Sequence, residues 1–391
     1  MSFLNRYNNS ELQIESAKEF LESNQLFNYS VGNSTNYPTI LKSRTDGSVI
    51  WKKEYFQSEW NNIVFKEIIQ SINSSQQIEY IIYGKYSNNH YLIKINSNGE
   101  LLFINKINLI GASGAFLVES KINNSFYLVF SGLYDGPEPT YGGMGLKQLM
   151  VLEFDNEINV VNQNYYYSGS AFEMILNSVK SYEEGLLIVF DHKGGNTHLL
   201  DLNYNLTVKI DKEIHIGNNA NSDFYSHDVV IVSNDLLDYT KNRYFISGSK
   251  GSGEILLLGL DGANQNYITE IPNTRISGSS NMIIVDNELY LNVFRGTHEE
   301  QGSVIHKINI NDFYGLTLGS NIAVLNRVAE SDNITIGFQK NNNDYFLLNY
   351  FANEREVKLY LEGKREEKFS SKIEKYLLSL EELPVLKKLS I

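Results

Sequence analysis

An all-β fold built from one four-strand unit repeated about seven times is what this 391-residue sequence predicts. Three observations carry that expectation. A strand pattern recurs at a mean spacing of about 51 residues, within the range of propeller blades. Strand-favouring aromatics are abundant, with 26 Tyr and 20 Phe against only 5 Pro. The stretches between repeats carry the Asn, Ser and Gly clusters of tight turns. Together they predict a β-propeller of about seven four-stranded blades, with short helices at both termini. Six blades stay possible because 312–333 is poorly patterned.

The clearest unit is IVFKEIIQSINSSQQIEYIIYGKYSNNHYLIKINSNGELLFINKI at 63–107, read as strands near 64–72, 79–86, 90–96 and 100–107. Asn98-Gly99 marks the last turn, because a type I′ hairpin needs positive φ at both central positions. A C-terminal copy, ITIGFQKNNNDYFLLNYFANEREVKLYL, places Gly337 under Gly84 and Tyr345 under Tyr91. The third strand recurs in every copy, and the positions equivalent to Lys94 are Lys42, Glu153, Asp201, Gly259, Lys307 and Asn349. A lone twisted meander leaves both faces apolar, so blades must pack face to face to bury them. Later blades are expected to open near Ala115, Phe172, Asp228, Asn281 and Ile322, after small-residue stretches such as GASGA, SGSA and SGSS.

Residues 1–25 read as an N-terminal helical segment, 26–361 as the propeller, and 362–391 as a C-terminal helix with a possible ring-closing strand. At 10–24, Ser10 would cap a helix burying Ile14, Ala17, Phe20 and Leu21. The first blade then lacks its inner strand. At 370–383, Ile373, Tyr376, Leu377 and Leu380 form an amphipathic stripe that Pro384 ends. Residues 385–391 would return to complete blade one.

The line YLIKINSNGELLF resembles the bacterial propeller repeats grouped with the SBBP and delta-60 types. The resemblance spans most of 37–361 and implies a binding scaffold rather than a particular chemistry. Other propeller families fit less well. The quinoprotein-like TDGSVIW ends on Trp51, but its equivalent in the next blade is Phe103 and the chain has 2 Trp. Ser43, Asp46, Gly47 and Trp51 have the residue types of a sialidase Asp box without its spacing. WD-repeat and kelch signatures are missing.

With no Cys, thiolate metal sites, disulfides and Cys nucleophiles are excluded. The 33 Lys+Arg against 46 Asp+Glu give a net charge of −13, which disfavours nucleic acid and anionic membranes as partners. The opening MSFLNRYNNSELQIESAKEF has no apolar h-region, and no apolar run approaches a membrane span. Cytoplasmic residence, or export without an N-terminal signal as part of a particle, is therefore expected.

Candidate binding residues lie in loops between second and third strands and between blades. The longest, DGPEPTYGGMG, offers Asp135, Glu138 and Tyr141. DHKGG offers Asp191 and His192; NNANSDFYSHD offers Asp223 and His227; RGTHEE offers Arg295, His298 and Glu299. Imidazoles beside carboxylates could make an acid/base or metal site if His192, His227 and His298 met at a channel mouth. Their spacing matches no metal motif, so no metal, cofactor or catalytic residue is assigned. Tyr165-Tyr166-Tyr167 could stack on sugars, but alternating strand aromatics usually pack between blades. The favoured reading is a non-enzymatic recognition scaffold binding another protein. A lectin-like propeller binding glycans and a propeller hydrolase or lyase are the alternatives.

Overall fold

The computed structural model describes residues 3–8, 12–34, 37–44, 48–56, 63–110, 112, 114–134, 148–168, 174–192, 196–214, 224–232, 242–250, 255–261, 266–271, 280–285, 288–296, 301–310, 326–331, 334–340, 345–351, 359–361, 364–366 and 372–379. Among them the chain forms seven antiparallel sheets and one two-stranded ribbon. Sheet I joins Leu12–Glu22, Gln25–Ser34, Tyr37–Arg44 and Val49–Glu54; sheet II joins Val64–Ile72, Ile78–Tyr86, Asn89–Asn96 and Leu101–Ile107. Sheet III joins Ala115–Glu119, Phe126–Tyr134, Gln148–Phe154 and Val160–Ser168, with Leu109–Ile110 added beside Phe126–Tyr134. Sheet IV joins Met174–Tyr182, Gly185–His192, Thr197–Asn203 and Val208–Ile214. Sheet V joins Phe224–Val232, Arg243–Lys250, Ile255–Asp261 and Asn266–Glu270; sheet VI joins Ser280–Val285, Glu288–Gly296, Gln301–Asn309 and Asn326–Ser331. Sheet VII orders Ile334–Lys340, Tyr345–Phe351, Lys372–Ser379 and Phe3–Asn8. The succession of four-stranded meanders is a β-propeller. Two compact units divide it: 11–213 with sheets I to IV, and 1–10 with 214–391.

The repeat read from sequence fixes the third strand in six sheets. Lys42 stands opposite Tyr29, Lys94 opposite Ile81, Glu153 opposite Tyr127, Asp201 opposite Leu187, Gly259 opposite Phe245 and Lys307 opposite Tyr290. Trp51 and Phe103 are also equivalent, lying opposite Lys42 and Lys94. Second strands are buried on both faces within the first unit, as the run Tyr80–Tyr83 of sheet II shows, because that sheet is sandwiched between sheets I and III. First strands carry a bulge near their start in sheets I, II, IV, V and VII, placing Glu15, Lys66, Asn177, His227 and Ile336 as the extra residues.

Three expectations are corrected. The stretch 10–24 is not helical: Leu12–Glu22 is the first strand of sheet I, turning through Ser23 and Asn24 at φ 48° and 65°. Those angles are a two-residue hairpin turn, and pairing with Gln25–Ser34 outweighs the helical spacing. Sheet I therefore needs no strand from the C-terminus; residues 385–391 lie outside the described residues. Lys372–Ser379 is likewise a strand, held on one side by Tyr345–Phe351 and on the other by Phe3–Asn8. Finally, Ile334–Lys340 is the first strand of sheet VII rather than a second one. Its bulge at Ile336 and the pairing of Gly337 with Asn349 shift Asn349 out of the third-strand position.

Within the first unit one contact recurs at each junction between sheets. The turns closing sheets II, III and IV share a bonding pattern and a left-handed residue: Gly99 (φ 73°), Ile158 (φ 64°) and Leu206 (φ 65°). The second residue of each turn offers its carbonyl to the preceding sheet. Lys42 Nζ and Tyr29 Oη donate to Ser97 O at 3.3 and 3.4 Å, Lys94 Nζ donates to Asn156 O, and Tyr127 Oη donates to Tyr204 O at 2.8 Å. The left-handed residue's own carbonyl is taken by Tyr55 Oη at Gly99 (2.9 Å) and by Tyr166 Oη at Leu206. Ile158 and Leu206 offset the strain of positive φ by burying their side chains in the junction cores. At Gly99 a Cβ would come within 2.8 Å of Trp51, whose ring fills that space instead.

The first junction is the most polar. Glu22 accepts from Tyr29 Oη at 2.5 Å, Tyr80 Oη at 2.6 Å and Lys42 Nζ at 2.8 Å, while Lys42 lies 4.4 Å from the Phe27 ring. Burial is the main reason both phenols are pushed far above their ordinary range, with the neighbouring Glu22 adding to it. Replacing Lys42 by Met leaves a buried carboxylate without its cation and should cost about 3–5 kcal/mol. Urea unfolding should show the loss, and Lys42→Met/Glu22→Leu should recover most of it; equal stability of the single variant and wild type would refute the contact. Deleting residues 1–8 exposes the Lys372–Ser379 edge, so the truncated chain should melt lower and scatter light on heating. Unchanged melting would show that the N-terminal strand is dispensable.

Candidate functional site

A four-strand meander has two ends. Turns between strands two and three lie at one; those between strands one and two, and three and four, lie at the other. The sequence pointed to the first. There Asp191, at the close of the second strand of sheet IV, is 3% exposed and accepts from Thr197 Oγ1 and from Asn177 Nδ2, both at 2.6 Å. Asn177 is the bulge residue of that sheet, so the bulge turns its amide toward the carboxylate. The His192 ring meets His198 edge-on at 4.6 Å, His198 stacks on Phe190 at 5.1 Å, and Glu213 lies 3.9 Å from His198 Nε2. Burial lowers the His192 pKa while Glu213 opposes the shift. His198 and Glu213 escaped the sequence reading because they enter from the third and fourth strands; the register of Phe190 with His198 is what brings them in.

His227 is the bulge residue of sheet V. Its Nε2 is 3.1 Å from Ser249 Oγ and its Nδ1 3.2 Å from Ser280 Oγ, so it bridges sheets V and VI. Asp228 beside it accepts from the amides of Val229 (2.9 Å) and Met282 (2.6 Å). Burial holds the His227 pKa down at about 4 against the pull of Asp228. Arg295 stands opposite Gly302 in sheet VI. Asp135, Glu138, Tyr141, Asp223, His298 and Glu299 lie outside the described residues. His192 and His227 belong to different compact units. Among the described residues no group of three or more His, Asp or Glu is placed to hold a metal ion. Tyr166 is buried between sheets III and IV and Tyr165 is 41% exposed, so at least one of the three tyrosines packs between blades.

The other end carries a feature that sequence reading missed. Leu21, Ile72 and Ile122, at the first hairpins of sheets I, II and III, are 52, 39 and 66% exposed. Ile72 and Ile122 line an open groove of about 360 Å³ between the end of the first strand of sheet II and the first hairpin of sheet III, with Ile69 and Phe126 among its walls. Gln70, also in the wall, donates to Leu21 O at 2.9 Å and so ties the third apolar tip to the groove. Asn156 braces the opposite side, donating to Ile72 O at 2.7 Å and accepting from Ser71 Oγ at 2.8 Å. The sequence signal was present: each of the three hairpins puts an apolar residue beside a polar turn, where strand alternation alone does not require one.

No protein-family model and no curated protein matches the chain. Among solved structures, the hydrazine synthase of Kuenenia stuttgartiensis is similar at a TM-score of 0.50 and 12% identity, over 88% of this chain and 92% of that one. A prolyl endopeptidase gives 0.49 at 10% identity over 93% of this chain, which spans 50% of the endopeptidase. Aleuria aurantia lectin, solved with alpha-methyl-L-fucoside, gives 0.43 at 8% identity over 76% of this chain and 93% of that one. At 12% identity the likeness to the hydrazine synthase concerns the fold alone. Among the described residues no helix is long and apolar enough to cross a membrane.

His227 has a buried counterpart in His90, whose Nδ1 lies 2.7 Å from Tyr83 Oη and whose Nε2 is buried without a hydrogen-bond partner. Burial also brings its pKa down to about 4. A histidine with a lowered folded pKa stays neutral while the unfolded chain takes a proton. Stability is therefore full above about pH 6.5 and falls as pH drops toward 4, by at most roughly 2–3 kcal/mol per histidine. Denaturant midpoints at pH 7.5 and 4.5 measure this, and His227→Gln should flatten the dependence. An equal slope in the variant would remove His227 from the account.

Proposed function

We propose that this propeller is a non-enzymatic recognition module that binds another protein. The observation that carries the reading is the run of exposed apolar tips, Leu21, Ile72 and Ile122, on hairpins of three successive sheets around an open groove. Solvated surface does not favour apolar side chains clustered on turn tips, and such clusters mark interaction sites. The described carboxylates and imidazoles at the opposite end support the same reading. Asp191, Asp228 and His227 hold neighbouring strands together through hydrogen bonds, which is architectural work. Asp135, Glu138 and Tyr141, outside the described residues, belong to the proposal as a second contact region.

The triple variant Leu21→Ser/Ile72→Ser/Ile122→Ser should fold and melt near wild type, since exposed positions contribute little to stability. A partner cross-linked stoichiometrically to the full chain should lose at least about tenfold in affinity for the variant. Retention of that partner with unchanged affinity would defeat the reading. Glycan-array binding by the variant as strong as by wild type would favour a lectin instead.

A further inference from the structure

The groove wall carries Glu119 and Lys121, bonded to each other, and the turns beside it add carboxylates. At the same end of the first unit, Glu100, Asp155, Glu157 and Glu183 sit in the turns that close sheets II and III and in the first hairpin of sheet IV. Glu100, Glu157 and Glu183 are exposed and Asp155 is half-buried. Several cations accompany them, already engaged: Lys42 with Glu22 and Ser97 O, and Lys94 with Glu79 and Asn156 O. Lys121 in the groove wall is already bonded to Glu119, and Arg44 Nη1 is turned to Ser48 Oγ at 3.2 Å in sheet I. The neutral remainder of the rim is amide and hydroxyl, with Ser71, Asn123, Asn124 and Ser125 around the opening. Exposed apolar tips at Ile72 and Ile122 with acidic turns beside them select for a ligand that is apolar in the middle and cationic at its flanks.

Resting on the reading of this surface as a protein-binding site, we infer that the groove takes a polypeptide segment of the partner whose apolar side chains are flanked by lysine or arginine. The apolar residues would cover Ile72 and Ile122, and the flanking cations would reach Asp155 and Glu157, which stand on either side of the Asn156 that donates to Ile72 O. A net charge of −13 on the whole chain adds long-range attraction for such a segment and makes its capture salt-dependent.

Three synthetic twelve-residue peptides test this on the full chain by titration calorimetry: alternating Leu-Lys, alternating Leu-Glu and alternating Ser-Lys. The expected result is saturable one-to-one binding of Leu-Lys, at least about tenfold tighter than either other peptide. Binding should weaken by about tenfold in Ile72→Ser/Ile122→Ser, and separately in Glu157→Lys/Asp155→Lys, while Ile175→Ser, exposed elsewhere in sheet IV, binds as wild type. Equal binding of Leu-Lys and Leu-Glu that is lost in Ile72→Ser/Ile122→Ser overturns the cationic assignment and leaves the groove a recognition site. Failure of every apolar peptide overturns both. Concentration-dependent dimerisation in sedimentation, lost in Ile72→Ser/Ile122→Ser, overturns the inference by making a second copy of the chain the occupant.

Discussion

The capture of a turn carbonyl by the preceding sheet is the contact on which the unit of sheets I to IV depends most. A meander sheet can bury its faces against any flat apolar neighbour, so apolar packing alone would let blades slide. A carbonyl in a left-handed turn is a point acceptor, and leaving it buried without a donor is costly. The ammonium of Lys42 or Lys94, or the phenol of Tyr127, can satisfy it only in one register. The repeat thus converts non-directional burial into a fixed step from one sheet to the next. The donor changes between junctions, from a third-strand lysine in sheets I and II to a second-strand tyrosine in sheet III, while the acceptor keeps its place as the second residue of the turn. That is how repeat units diverge in sequence yet keep nearest-neighbour coupling.

The same device separates the two ends of the sheets. Turns at one end are short and locked into the neighbouring sheet, with Asn156 bracing Ile72 and Gln70 bracing Leu21. They give a surface that can hold apolar side chains rigidly in solvent, and a rigid apolar surface loses less entropy on binding than a mobile one. At the other end the bulges of the first strands turn Asn177 and His227 into bonds with Asp191, Ser249 and Ser280. Among the described residues, Asn177, Asp191 and His227 thus tie neighbouring strands together.

Much of the architecture was legible because its signals are periodic. The third strand repeats its pattern so faithfully that Lys42, Lys94, Glu153, Asp201, Gly259 and Lys307 align in register. First strands were harder to read. Ile14, Ala17 and Phe20 sit at helical spacing because the bulge at Glu15 breaks strict alternation, and a bulge leaves no sequence mark of its own. Lys372–Ser379 failed for a related reason: an amphipathic stripe of eight residues suits a helix until strands are available on both sides. The groove was missed because loop length drew attention to one end, whereas the groove arises at the first hairpins of the sheets.

The sequence by itself determined that the chain is all-β, that its unit has four strands and recurs about every 51 residues, and that no cysteine chemistry takes part. These follow from composition and local periodicity, which are properties of neighbours along the chain. Only the tertiary structure decided that Phe3–Asn8 completes the last sheet, that Glu22, Lys42 and Tyr80 share one buried site, and that three hairpin tips flank one groove. Each joins residues tens to hundreds of positions apart. Their meeting is set by sheet pairing and by the burial of polar groups that must find partners, and neither leaves a local trace in the sequence.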